Sequence, residues 1–282
     1  MIVCRSAGEI ERLARVNALV ARVLAELKSL VRNGVTTGDL DAIAELRLKE
    51  AGAEPAFKGY HGYPATICAS VNEQVVHGIP SNRALVDGDI ISIDMGAKLD
   101  GFYGDSAVTV PVGDITPDAA RLLRVTEEAL YRALDTVRAG ARVSDIGAAV
   151  QGHVEAHGFS VVREFVGHGI GAKLHEEPQI PNYGQPGRGP RLAEGMVLAI
   201  EPMVNIGKPA VRVLSDGWTA VTKDGSLSAH FEHTVVVTAT GCRILTRADG
   251  NSELRTQNSE LGTENGERGT PERETRVFGV RM

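Results

Sequence analysis

Asp94, Asp105, His168, Glu201 and Glu232 stand in that order along the chain, each inside or beside an apolar run with strand character. Asp94 follows Ile90-Ile91-Ser92-Ile93, Glu201 follows Met196-Val197-Leu198-Ala199-Ile200, and Glu232 precedes Val235-Val236-Val237. Four carboxylates gathered in a core repel one another and retain protons unless cations sit among them. The set therefore points to a dinuclear metal site. One imidazole among carboxylates suits hard or borderline divalent ions such as Mn²⁺, Fe²⁺ or Co²⁺, whereas structural zinc calls for thiolates or more histidines. Carboxylates can bridge, so five side chains suffice for two ions. Two ions about 3.5–4 Å apart bring a shared water from a pKa of about 15.7 to about 7 and polarise a neighbouring carbonyl, which is hydrolytic chemistry.

Two further histidines stand where they could assist. His77 in His77-Gly78-Ile79 mirrors His168 in His168-Gly169-Ile170, and His175 opens the run His175-Glu176-Glu177-Pro178. Neither is needed as a ligand, so either could hydrogen-bond a substrate carbonyl or a leaving nitrogen, or serve as an ordinary loop or cap histidine. His61, His153, His157, His230 and His233 carry no such signal and read as surface or packing residues. Gly167-His168-Gly169-Ile170-Gly171 lacks the glycine order and the following Lys-Ser/Thr of a nucleotide loop, which excludes it as a phosphate cradle.

The elements that must position these residues repeat. Ser6-Ala7-Gly8-Glu9 fits a capping box, followed by apolar positions at helical spacing to about Arg32. A second helix is expected from about Thr37 to Ala51, closed by Gly52. Thr116-Pro117 opens a third that the pattern carries to about Arg138, and a fourth spans about 144–156, closed by Gly158. A shift of 106 residues lays Val31, Arg32, Gly34, Asp39 and Gly52 onto Val137, Arg138, Gly140, Asp145 and Gly158. At a shift of 107, Gly88 and Ile93-Asp94 fall on Gly195 and Ile200-Glu201. Asp105 then corresponds to Glu232, provided that about twenty residues near 207–227 form an extra loop in the second half. The expectation is two α/β halves with ligands at matching places and the site at their seam.

The chain has 282 residues, enough for a sizeable core, and a formal net charge of −6. Its basic residues form no stripe, so direct nucleic-acid binding is not indicated. Cys4, Cys68 and Cys242 are odd in number and lack metal spacing, which suits reduced thiols of an intracellular protein. No apolar run is long enough for a membrane span or shaped as a leader. From Asp249 the composition turns polar and aperiodic, so a catalytic domain over 1–248 and a disordered polar tail over 249–282 are expected.

The motifs Tyr60-His61-Gly62-Tyr63-Pro64, Asn72-Glu73 with His77-Gly78-Ile79-Pro80, and Gly101-Phe102-Tyr103-Gly104-Asp105 occur in the first half. Gly167-His168-Gly169-Ile170-Gly171, His175-Glu176-Glu177-Pro178, Ile200-Glu201-Pro202-Met203 and Phe231-Glu232-His233-Thr234 follow in the second. In this order, across nearly all of residues 5–248, they resemble the type I methionine aminopeptidases. The resemblance implies the pita-bread fold, a pseudo-twofold pair of α/β halves of mixed α/β (α+β) class. It implies removal of the N-terminal methionine from nascent polypeptides whose second residue is small, through attack of a water or hydroxide bridging two divalent ions, Co²⁺, Mn²⁺ or Fe²⁺. Asp94 would chelate one ion, Asp105 and Glu232 would bridge, and His168 and Glu201 would hold the other, with Glu201 also moving the proton of the nucleophile. His175 would stabilise the tetrahedral intermediate and His77 would contact the scissile amide. Tyr60, Tyr63, Cys68, Phe165 and Trp218 would shape the methionine pocket, with Phe57 and Leu174 at pocket-side positions where members vary. A cytoplasmic monomer acting on nascent chains at or near the ribosome is the expected setting.

Two alternatives share the fold. Proline-specific aminopeptidases and prolidases usually carry a large N-terminal domain, whereas here the catalytic half starts almost at residue 1. A non-catalytic pita-bread binding protein would have lost ligands, and all five are present. The type II methionine enzymes carry a long insertion between the ligand histidine and the next glutamate, but only 32 residues lie between His168 and Glu201.

Overall fold

A computed structural model describes residues 2–247 and 253–255. The first half runs α1 (Ala7–Leu30), α2 (Thr37–Glu50), β1 (Glu54–Pro55), a 3₁₀ turn (Tyr60–Gly62), β2 (Ile67–Val71), β3 (Gln74–Val76), β4 (Ile90–Leu99) and β5 (Phe102–Pro111). The second begins with α3 (Pro117–Leu134), α4 (Val143–Ala156), β6 (Ser160–Val161), β7 (Gly167–Gly169), β8 (Glu176–Ile180) and β9 (Val197–Ile200). It continues through β10 (Met203–Asn205), β11 (Val211–Val213), β12 (Ala220–Thr222), β13 (Ser228–His230), β14 (His233–Val237), β15 (Gly241–Ile244) and β16 (Glu253–Arg255).

The helices start where their caps dictate. Ser6 and Glu9 close a capping box on α1, Thr36 and Asp39 close one on α2, and Asp145 bonds back to the Arg142 N–H at the start of α4. Asp39 and Asp145 are the positions that the repeat superposes, so the duplication reaches down to cap chemistry. The α3 helix stops at Leu134, short of the expected Arg138. Its apolar rhythm continues because Val137, fully buried in the turn beyond the helix, points into the same core. Periodicity reports burial, and burial outlasts the helix here.

Two main cores form, one per half. Leu13, Val16, Val20, Leu27 and Leu40 pack with Ile91, Ile93 and Met95 in the first. Leu122, Val125, Leu130, Ile146 and Val150 pack with Leu198, Ile200 and Val235 in the second. The helices cover the outer faces of two antiparallel sheets, one built on β4 with neighbours β1, β2 and β5, the other ordered β16-β15-β14-β9-β7-β8. Hydrogen bonds join the sheets where β5 meets the 232–234 segment. Glu232 N–H donates to the Ala107 carbonyl (2.9 Å), Ser106 hydroxyl to the Glu232 carbonyl (2.8 Å) and Thr234 hydroxyl to the Asp105 carbonyl (2.8 Å). The seam is thus fixed by the backbone of two of the expected ligands. The extra loop of the second half builds β11 and β12, and β12 pairs with β3 of the first half. The expected polar tail lies outside the described residues apart from β16, which pairs with β15 beyond the expected boundary at 248.

Candidate metal centre and active site

The register of the strands decides which carboxylates meet. Asp94 lies opposite Ala107 and Asp105 opposite Gly96, so the two aspartates sit two positions apart on one face of the β4–β5 hairpin, within diagonal reach. Ile200 pairs with His233, which places Glu201 and Glu232 just past the ends of β9 and β14, beside one another. His168 pairs with Ala199 and therefore shares a face with Glu201. Gly78 and Gly169, equivalent in the repeat, both lie against backbone: an added Cβ would stand 2.5 Å from the Ala69 carbonyl oxygen and 2.3 Å from that of Glu177. A glycine after each repeated histidine lets the neighbouring chain approach closely.

All five expected ligands line one cavity of about 330 Å³. Ligand atoms of Asp105, His168 and Glu232 lie within 4.8 Å of one another. His168 Nε2 is 3.6 Å from Glu201 Oε1 and 4.0 Å from Asp105 Oδ2, while its Nδ1 faces the Gly169 carbonyl at 2.9 Å. That bond makes Nδ1 the protonated nitrogen and leaves the Nε2 lone pair facing the carboxylates. Asn17, buried in α1, holds the other side: its Oδ1 accepts from the Asp105 N–H at 3.3 Å.

The electrostatics are those of a site made for cations. Burial, then the charge of Asp105, pushes the Asp94 and Glu201 carboxyls well above the usual carboxylate range. Glu232 is raised the same way, and burial lifts Asp105 to about 7. Burial lowers His168 to about 3, keeping it neutral and able to ligate. Asp94 Oδ1, Asp105 Oδ1 and Glu232 Oε1 are buried without a hydrogen-bond partner. Orphaned carboxylate oxygens converging with a neutral imidazole fit divalent metal ions, which would satisfy the oxygens and remove the repulsion.

His77 and His175 both line the cavity. Burial lowers His77 to about 4, and its ring stands edge-on to Phe165 (5.3 Å) and Trp218 (6.4 Å). His175 lies 4.3 Å from the His168 ring, its Nδ1 2.8 Å from the Tyr60 hydroxyl. Burial, then His61, lowers it as well. Its loop is clamped by Arg5, which reaches Glu176 at 2.5 Å, and Glu176 also accepts the Lys173 N–H at 3.0 Å. Tyr60, Tyr63, Cys68, Phe165 and Trp218 line the same cavity, as do Phe57 and Leu174. Tyr63 spends its hydroxyl on the Ile67 and Gly78 carbonyls (3.0 Å each) and turns its ring edge-on to Trp218 at 5.1 Å.

Sequence reasoning missed three contributors. His230, read as a surface or packing residue, is buried with Nε2 unpartnered and 3.6 Å from Glu201 Oε2. It stands two residues before Glu232, and strand alternation could have placed both on one face. His61, read as a surface or packing residue, is exposed and lines the cavity. Asn17 sits inside an apolar helical stripe, where only the packed β5 reveals its use.

The sequence matches the family described as metallopeptidase family M24 over residues 11–239. It is 56% identical over 247 residues to methionine aminopeptidase 1 of Bacillus subtilis, covering 88% of this chain and 100% of that protein. The fold superposes on the crystal structure of methionine aminopeptidase from Thermotoga maritima with a TM-score of 0.86 at 47% identity, covering 88% of this chain and 100% of that one. An X-Pro aminopeptidase from the same organism shares the fold at a TM-score of 0.69 and 24% identity, with 86% of this chain covering 62% of that one. With five candidate ligands lining one cavity at the seam of two α/β halves and this likeness along nearly all of its described length, the chain belongs to metallopeptidase family M24 and, within it, to the methionine aminopeptidases.

Proposed function

We infer that the chain removes the N-terminal methionine from polypeptides by metal-dependent hydrolysis of the first peptide bond. The observation that carries this reading is the juxtaposition of the five ligands with a pocket whose walls are Tyr60, Tyr63, Phe165, Leu174 and Trp218. Two divalent ions, Mn²⁺, Fe²⁺ or Co²⁺, are assigned to Asp94, Asp105, His168, Glu201 and Glu232, because four carboxylates exceed the charge that one ion would balance. When bound, such ions supply Lewis-acid activation of the attacking water and the scissile carbonyl.

The remaining roles fall to this chain's side chains. Glu201 is placed to accept the proton of the attacking water, and His230 Nε2 faces its second oxygen. The Tyr60 hydroxyl, donating to His175 Nδ1, keeps the proton of His175 on Nε2, where it can donate to the oxyanion of the tetrahedral intermediate. His77 contacts the scissile amide. The aromatic walls give an unbranched thioether large contact area and exclude charged side chains, which would lose hydration without gaining a partner. A small second residue, nascent chains near the ribosome as substrates, a monomeric state and a cytoplasmic setting belong to the same reading. No helix among the described residues is long and apolar enough to cross a membrane.

Measuring kcat/KM for Met-Ala-Ser, Met-Lys-Ser, Lys-Ala-Ser and Ala-Pro-Ser, after chelation and after adding back Mn²⁺ or Co²⁺, tests it. Met-Ala-Ser should be preferred, with activity restored by metal. Faster turnover of Ala-Pro-Ser would transfer the chain to proline-specific peptidases, and faster turnover of Lys-Ala-Ser would make it a broad aminopeptidase.

A further inference from the structure

On the outer face of the second half, away from the central cavity, α3 and α4 bring together two histidines and a glutamate. His153 lies in the last turn of α4 and His157 is its C-cap, one turn further on, so both rings project from the same side of the helix. Glu128 reaches them from α3. One ligand atom from each of the three lies within 4.8 Å of the others, and the two rings are 4.5 Å apart.

Hydrogen bonds already orient the three side chains toward one another. His157 Nδ1 faces the His153 carbonyl at 2.8 Å, an arrangement that puts the ring proton on Nδ1 and leaves the Nε2 lone pair outward. Arg124 takes Glu128 Oε1 at 2.9 Å, and Oε2 pairs with His153 Nε2 at 3.0 Å, a hydrogen bond that an ion held between the two atoms would replace. The His153 side chain is only 8% exposed, and burial lowers its pKa, which favours the neutral ring that a metal ion requires. Three cations stand nearby. Arg124 is engaged by Glu128, Arg121 by the His157 carbonyl and the Phe159 ring, and Arg132 acts on His153 through its charge. Opposing them are the Glu128 carboxylate and the negative end of the α4 dipole, which favours a cation at His157.

We propose that Glu128, His153 and His157 form a peripheral site for a borderline divalent ion such as Zn²⁺, with water completing the shell. Two imidazoles and one carboxylate oxygen with an open fourth position match zinc's preference, and they differ in kind from the central set of four carboxylates and one imidazole. An ion there would tie the end of α4 to the middle of α3 without touching the cavity.

Equilibrium dialysis against low-micromolar Zn²⁺ followed by elemental analysis tests the site on the full chain. Wild type should hold one equivalent more than His157→Ala or His153→Ala. Glu128→Gln should weaken that equivalent by about tenfold or more, the loss typical of removing a supporting group around a metal, and more if the carboxylate ligates directly. Asp105→Asn, altered only in the central site, should keep the peripheral equivalent and show a Zn²⁺-dependent rise in Tm that His157→Ala abolishes. Peptide turnover at saturating Mn²⁺ should be unchanged in His157→Ala, which also reports that the variant is folded. If His157→Ala does not fold, His153→Ala and Glu128→Gln carry the comparison. Equal zinc stoichiometry in wild type and the folded histidine variants, or an unchanged zinc-dependent Tm rise, would overturn the site.

Discussion

The first half brings its two acidic candidate ligands from a single hairpin, and the second brings its two from segments separated by thirty residues of other structure. In the first, β4 and β5 pair over ten positions around the two-residue turn Asp100-Gly101, both with positive φ (51° and 80°). This Asp-Gly turn is the type whose twist matches the strands it joins. In the second, the chain leaves at Glu201, builds β10 to β13 with Trp218 in the excursion, and returns at Glu232 to resume the ladder with Ile200. The hairpin fixes the spacing of its two carboxylates through strand register, while the interrupted pair brings two carboxylates to the same cavity and adds a wall to it. Comparing the halves separates what duplication supplies, a ligand framework, from what divergence supplies, which is side-chain recognition.

The largest expected effect comes from breaking the shared framework. Asp105→Asn should reduce turnover to background, as chelation does, because loss of one bridging charge weakens cation binding from both halves. Near wild-type turnover by the metal-replete variant would dissolve the dinuclear assignment. Next come the two non-ligand histidines. His175→Ala should lower kcat about 10²-fold with metal binding intact, as expected for a group that acts on the oxyanion. His77→Ala, at the position that mirrors His168 in the repeat, should cost less, and calorimetric loss of metal in either variant would reassign that residue to the ligand shell. Trp218→Ala should raise KM about tenfold with a smaller change in kcat, since an aromatic wall serves binding more than the reaction; an unchanged KM would confine Trp218 to a local core.

A pH test probes both halves together in the metal-free protein. Folding raises the four carboxyls, so the native state holds more protons than the unfolded chain, and stability falls as pH rises through the raised values, about 7 for Asp105. The lowered histidines act oppositely, but their contribution is complete above the ordinary histidine pKa of about 6.5. From about pH 6.5 to 8 the apoprotein should lose roughly 1.4 kcal/mol per pH unit for each carboxyl that still holds its proton in the fold, and metal should remove the slope. A flat Tm over that range would contradict the crowding of the four carboxyls. The smallest effect is expected from deleting residues 256–282, a polar stretch with few apolar residues to dock, which should leave turnover and Tm nearly unchanged; a fall of several degrees would show that it packs on the domain.

Much of this was legible in the chain itself. Cap residues such as Thr36 and Asp39 act locally, so they announce helix starts without reference to anything distant. The repeat exposed both halves because duplicated backbones need the same small residues at the same places, as Gly78 and Gly169 do. The five candidate ligands stood out because charge beside continuous apolar runs requires a compensating partner. Tertiary structure alone decided the rest. The extent of α3 could not be read, because Val137 keeps the apolar rhythm from a turn. Asn17 and His230 gained their roles from elements far away in sequence, Asn17 from β5 and His230 from Glu201. His153 and His157 stand one helical turn apart in the sequence, but Glu128 joins them only because α4 lies against α3. Local sequence fixes caps, turns and the alternation of faces through bonds between near neighbours, whereas which faces meet depends on packing of the whole chain, and there the chemistry of isolated side chains becomes a site.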